Sequence, residues 1–249
     1  MKSVASELMV SEATVRRLFA RLEAEHHVIR VHGGVQLIDQ SSRFYLYELA
    51  EQLNHAEKKA IGYAAAQVVV SNDTLFLDSG STVFRCAESL ALRIRIEELS
   101  GIVVLTNSLS IADFLASCCK VILVGGEVRL DRRDVCGSIA ERTLQLFRVN
   151  RAFFGTDGID LNFGFMTTDE RTSHINSIIR ERARETYVLA DSSKFNRASF
   201  VQSGALNAVT QVITDNRISD ADLQAYLNAG AAIRVIATAD SQDHSFREP

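Results

Sequence analysis

The stretch LFLDSGST, residues 75–82, runs from apolar residues into five small polar ones, Asp78, Ser79, Gly80, Ser81 and Thr82. A helix-like segment, VFRCAESLALRI, follows at once. Small residues let backbone N–H groups approach an anion, and a helix N-terminus favours negative charge. Serine and threonine hydroxyls add donors. Similar clusters follow other apolar runs: Thr106-Asn107-Ser108, Gly125-Gly126, Gly155 to Asp160 (with Asp157 and Gly158), and Asp191 to Lys194. Lys194 can supply the compensating charge. The DSGST stretch therefore reads as an oxyanion cradle suited to phosphate. Each cluster alone also fits a plainer role: SGST a capped turn, TNS an Asx-type cap, the glycine pair a turn, Lys194 a solvated surface residue. Convergence at one sheet edge favours the cradle. No GxGxxG follows a strand, so the dinucleotide fingerprint is absent.

These clusters need a sheet to bring them together. Strands are expected at 74–78, 102–107, 120–125, 151–156, 186–191, 211–215 and 233–238, each rich in Val, Ile, Leu or Phe with little alternation. Such runs suit strands buried on both faces. The segments between them, SLSIADFLAS, SIAERTLQLF, TSHINSIIRERARE and SDADLQAYLNAG, carry helical spacing. Strands alternating with helices predict an α/β domain with a mostly parallel sheet. In such sheets ligands bind outside the carboxyl ends of the strands, where the clusters lie.

The first 38 residues read differently. KSVASELM is a short helix candidate. Ser11 caps a second helix, with Glu12 in its first turn and Thr14 near its start. Val15, Leu18, Phe19 and Leu22 fall at i, i+3, i+4 and i+7, predicting one buried stripe. Arg16, Arg17 and Arg21 point elsewhere. VIRVHGGVQL predicts a hairpin turning at His32-Gly33-Gly34. Helix, turn, arginine-bearing helix and hairpin form a winged helix-turn-helix layout, with the second helix suited to the major groove and the hairpin tip to phosphates. A small helical cap with a solvated arginine face is the alternative. Five Lys/Arg against four Glu leave residues 1–38 only +1, a weak basic footprint. The expected domains are a DNA-binding module at 1–38, a linker at 39–57, a sensing domain at 58–240 and a polar tail at 241–249.

SVASELMVSEATVRRLFARLEAEHHVIRVHGGVQL resembles the helix-turn-helix of the DeoR family of bacterial sugar-operon repressors. The resemblance continues through AEKKAIGYAAA (56–66), LFLDSGST, VVLTNSLSIA (103–112), VILVGGEVR (121–129), FFGTDGID (153–160), LADSSKF (189–195) and VITD (212–215), seven matches in the family's order. GTDGIDLN resembles the glucitol-operon type within that family. The chain departs from the family pattern twice. It begins almost at the family's second helix, so the first is expected to be missing, and Leu18 stands where an acidic residue usually follows the paired arginines. The resemblance implies operator DNA as a partner, contacted by Ser11, Thr14, Arg16, Arg17, Arg21, His32 and Gly33. It implies a sensor fold like that of ribose-5-phosphate isomerase and glucosamine-6-phosphate deaminase, and a phosphorylated sugar or sugar alcohol as effector. Ser79 to Thr82 and Lys194 would lie near the phosphate, and Asn107, Asp157, Asp160 and Glu170 nearer the sugar hydroxyls. Asp157 and Asp160 also admit a competing enzyme reading, because paired carboxylates can shuttle protons between sugar carbons.

Bulk properties narrow the rest. The 249 residues carry 47% hydrophobic and 23% charged residues, ordinary globular composition, and a net charge of -4. Cys86, Cys118, Cys119 and Cys136 form no CxxC pair and no zinc-like spacing with histidine, so reduced thiols of a cytoplasmic protein are expected. No segment resembles a signal peptide or approaches the ~20 apolar residues of a membrane helix. No metal or cofactor is expected. A homo-oligomer is expected.

Overall fold

The computed structural model describes residues 2–24, 28–31, 34–37 and 47–238. His32, Gly33, residues 39–46 of the expected linker and the polar tail lie outside the described residues, while residues 47–52 and 55–57 of that linker form helix in the second unit. The chain divides into two compact units, Met1–Phe44 and Tyr45–Pro249.

The first unit holds helices α1 (Lys2–Glu7) and α2 (Glu12–Ala24), then strands β1 (Val28–Val31) and β2 (Gly34–Leu37). Met9 takes a left-handed φ of 51° between the helices. Ser11 caps α2: its Oγ accepts from the Thr14 N–H at 3.1 Å and meets Thr14 Oγ1 at 2.9 Å. β1 and β2 pair antiparallel, Val28 opposite Leu37 and Val31 opposite Gly34. The helix-turn-helix and hairpin are thus present. The predicted stripe needs correction. Val15 is fully buried, but Leu18 is 44% exposed, because α2 packs on α1 and β1 and Leu18 projects beyond their contact.

The second unit runs α3 (Tyr47–Gln52), α4 (His55–Ala66), β3 (Thr74–Leu77), α5 (Ser81–Arg95), β4 (Val103–Thr106), α6 (Leu109–Leu115), β5 (Lys120–Leu123), β6 (Glu127–Arg129), β7 (Asp134–Cys136), α7 (Ser138–Leu144), β8 (Val149–Phe154), β9 (Gly158–Asp160), β10 (Gly164–Thr167), α8 (Glu170–Arg182), β11 (Ala183–Leu189), β12 (Val201–Gly204), β13 (Gln211–Asp215), α9 (Asp220–Asn228) and β14 (Ile233–Ile236). Seven strands form one parallel sheet in the order β14-β13-β11-β8-β3-β4-β5. Side chains alternate across it. Leu75, Leu77, Phe153 and Tyr187 pack with Ile61, Val83 and Leu90 of α4 and α5. Phe76, Ala152, Phe154 and Val188 pack with Leu144, Ile175, Ile179 and Tyr226 of α7, α8 and α9. Both faces are covered, so the central strands need no polar alternation. The result is a three-layer α/β/α sandwich.

The connection order fixes the place for a ligand. From β3 the chain winds outward through β4 to β5, then returns to lay β8 on the other side of β3. The crevice between the carboxyl ends of β3 and β8 is the topological switch point.

Candidate functional site

Residues following β3 and β8 meet at that crevice. Asp78, Ser79, Gly80, Ser81 and Thr82 line one wall, and Gly155, Thr156 and Asp157 line another. The Asp78 N–H donates to the Phe153 carbonyl at 3.0 Å, extending the β3–β8 ladder to the cleft floor. Gly80 then takes φ 151°, ψ 145° at the N-cap of α5 and supplies no capping side chain. A left-handed φ of this kind favours glycine. The first N–H groups of a 15-residue helix therefore start at the cleft without a side-chain cap.

Cations arrive from two other elements. Asp191 accepts from the Ser193 N–H at 3.2 Å and caps a single 3-10 turn, Ser192–Lys194, which delivers half-buried Lys194 to the cleft. The Lys194 N–H donates to the Asp191 carbonyl at 3.0 Å, and its ammonium has no hydrogen-bond or ion-pair partner among the described residues. Lys58, on α4, is buried and lines the same cleft. Its ammonium donates to the Ala50 carbonyl. Burial brings its pKa down to about 8; Asp191 opposes this and Lys194 adds to it.

The acidic groups are restrained. Burial, and then the Asp134 charge, push Asp78 up to about 7 against the Ser79 and Gly155 N–H groups and Arg132. Asp134 is itself buried; it receives Arg129 at 2.7 Å and the Ser79 hydroxyl at 2.8 Å. Arg129 continues to Asp169 at 2.6 Å and to Thr172 Oγ1 at 3.0 Å. Although burial opposes it, the Arg171 hydrogen bond and the Arg129 charge hold Asp169 at about 2. Asp169 caps α8. This ties the hairpin β6–β7, the Ser79 loop and the start of α8 into one network.

The remaining wall was not anticipated. Thr172 and Asn176, one turn apart on α8, line the cleft with Arg132 of the β6–β7 turn and Thr167 of β10. Asn176 is 5% exposed and its Oδ1 has no hydrogen-bond partner among the described residues. Arg132 lies 3.6 Å from Asp157, whose Oδ2 also accepts from Thr167 Oγ1, Thr168 N–H and Thr168 Oγ1. Lys58 could have been suspected from AEKK, where a lysine sits on the apolar face of a helix. Arg132, Thr172 and Asn176 carried no such signal, because the fold alone brings them to the crevice.

Other predicted residues lie away from the cleft lining. The hairpin β6–β7 covers the ends of β4 and β5, and Ser108 bridges Asp134. Thr106, Asn107 and Ser108 are therefore buried. Thr106 donates to the Leu77 carbonyl at 2.6 Å, Asn107 O accepts the Val135 N–H at 2.9 Å, and Ser108 caps α6. Gly125 precedes the hairpin, and a side chain at Gly126 would collide with the Cys136 carbonyl. Gly158 lies against the Arg197 carbonyl. Asp160 closes the β9–β10 turn, accepting from the Asn162 and Phe163 N–H groups at 2.8 and 3.0 Å. Glu170 is exposed in the first turn of α8. In the first unit, Arg16, Arg17 and Arg21 are exposed along α2.

Two family profiles cover most of the chain: the DeoR C terminal sensor domain matches residues 53–216 and the DeoR-like helix-turn-helix domain matches residues 1–41. A DNA-reading module joined to a ligand-cleft domain defines a transcriptional regulator. The chain belongs to the DeoR family. It is 33% identical over 218 residues to the uncharacterized HTH-type transcriptional regulator YulB of Bacillus subtilis, covering 87% of this chain and 82% of that protein. It is 30% identical to the lactose phosphotransferase system repressor of Lactococcus lactis subsp. lactis, covering 91% and 88%. Among solved structures it is similar to ribose 5-phosphate isomerase A from Methanocaldococcus jannaschii, with 21% identity, a TM-score of 0.44 and coverage of 57% and 55%. No helix among the described residues is long and apolar enough to cross a membrane.

Proposed function

We propose that this protein represses an operon for sugar or sugar-alcohol use and leaves its operator when a phosphorylated sugar fills the cleft. One observation carries the reading: the uncapped N-terminus of α5 meets Lys58 and Lys194 at the topological switch point. Helix N–H groups and two ammonium groups suit a dianion, while the raised pKa of Asp78 leaves it only partly ionised near pH 7 and reduces its repulsion. Thr172, Arg132 and Asn176 Oδ1, which has no partner among the described residues, suit the hydroxyls of the attached sugar. A sugar-phosphate isomerase is the weaker reading. Asp160 is committed to its turn and Asp157 to four donors, so the two carboxylates do not form a proton-shuttling pair at the cleft. The family's relatives named above are regulators, which agrees with sensing rather than turnover. One winged helix offers little basic surface, so the repressor works as a dimer or larger oligomer on paired half-sites about 34–36 Å apart or at multiples of that spacing.

Calorimetry with matched pairs of sugars and sugar phosphates tests the effector class. A phosphate ester should bind much more tightly than its parent sugar. Equal affinities across every pair would remove the anion cradle.

A further inference from the structure

The cleft already holds an acceptor supplied by the protein itself. Ala50 lies in the last turn of α3, where backbone carbonyls lack intrahelical partners. Its oxygen accepts from the Lys58 ammonium and from the Ser81 hydroxyl, the latter at 3.2 Å. Ser81 is the first residue of α5, and both side chains line the cleft. The groups best placed to meet an anion are thus engaged by α3.

Tyr47 anchors the start of this helix, its side chain buried and its hydroxyl hydrogen-bonded to Ser110, and fewer ties hold its end. The Tyr47 N–H donates to the Asp131 carbonyl at 2.9 Å, and Arg85 reaches Glu51 at 3.1 Å. Glu51 is 39% exposed, so that ion pair holds little. Beyond α3, Asn54 adopts a left-handed φ of 51° at the N-cap of α4 and donates to Asp191 at 2.8 Å. A short helix therefore ends in a sharp backbone turn, with a carbonyl of its last turn clasped by the cleft. In sequence, α3 is the first described element after the DNA-binding unit.

We propose that α3 is an internal competitor for the anion: ligand phosphate takes Ser81 and Lys58 from the Ala50 carbonyl, and α3 comes loose. The inference rests on the sugar-phosphate reading of the cleft. A serine hydroxyl has one proton, so an anion oxygen that receives it removes it from Ala50. An anionic oxygen adds a charge–charge attraction to the ammonium that a neutral carbonyl does not offer. Occupancy of the cleft is thereby converted into freedom of the segment that leads to the DNA-binding unit. Regulation then needs no rearrangement of the sheet.

Hydrogen exchange on the full chain, with inorganic phosphate as the probe, tests this. Phosphate should slow exchange at residues 81–84 and speed exchange across 47–53 by about three- to tenfold, the loss of one or two ordinary hydrogen bonds. Ser81→Ala should speed exchange at 47–53 without phosphate, leaving β3 and β8 as protected as in the parent. Slowing at 81–84 with unchanged or slower exchange at 47–53 would overturn the competition and leave the anion site standing. So would unchanged exchange at 47–53 in Ser81→Ala. No slowing at 81–84 at high millimolar phosphate would overturn the anion site and the competition together.

Discussion

Asp78 ties the cleft to pH. Burial first and Asp134 second raise its carboxyl from 3.8 to about 7. The folded protein then holds this proton more tightly than the unfolded chain does. The group favours folding most at pH below about 4. Its contribution falls as pH rises from about 4 to about 7 and is level above that. At 1.36 kcal/mol per pKa unit the span is on the order of 4 kcal/mol. Denaturant titrations across this window should show the parent losing stability relative to Asp78→Asn as pH rises. Parallel profiles for the two would contradict the assignment. The sequence displayed Asp78, Ser79, Gly80, Ser81, Thr82 and Lys194 because each follows a strand with its own local signal. It hid Asn176 and Thr172, whose place depends on α8 lying against the switch point. Asp160 and Ser108 misled for the opposite reason: a cap and a ligand-binding residue have the same local chemistry.

At the scale of elements, α5 and the turn before it decide whether an anion can approach. The Cβ of any residue at Gly80 would point into open space, so a substitution there costs backbone strain and not a clash. At φ 151° that strain is about 1–3 kcal/mol. Gly80→Ala should lower the denaturation free energy by this amount and weaken phosphate binding, because relaxation of φ turns the first N–H groups of α5. Unchanged stability and binding would show that the turn is not constrained. All seven strands of the parallel sheet were legible as apolar runs. The antiparallel pieces β6, β7, β9, β10 and β12 were not, since EVR, DVC, GID, GFMT and VQSG mix polar residues or glycine into three or four positions and form no apolar run. The segment TSHINSIIRERARE reads as helix to its end, yet α8 stops at Arg182. Ala183 and Glu185 pair with Val149 and Arg151 of β8, so sheet registry overrides helical spacing there.

At the scale of the whole molecule, two units divide reading DNA from sensing. Arg16 and Arg17 are exposed on α2, and Arg17→Ala should weaken binding to all DNA sequences and lower the salt slope by about 1. Unchanged affinity and slope would reject α2 as the groove-facing helix. The division was visible as a change of regime between residues 38 and 58, and the mode of communication was not, because Ala50 acts through its backbone and leaves no mark in side-chain pattern. The most direct measurement follows release of operator DNA by a tight-binding sugar phosphate, in the parent and in Lys194→Ala. The Lys194 ammonium makes no bond among the described residues, and its backbone N–H bond to Asp191 survives the substitution, so its loss should spare folding and DNA affinity. It removes one charge-assisted hydrogen bond of about 1.5–3 kcal/mol, so release should need roughly 10- to 150-fold more ligand. Release by the same ligand concentration in both proteins would contradict a phosphate-reading cleft.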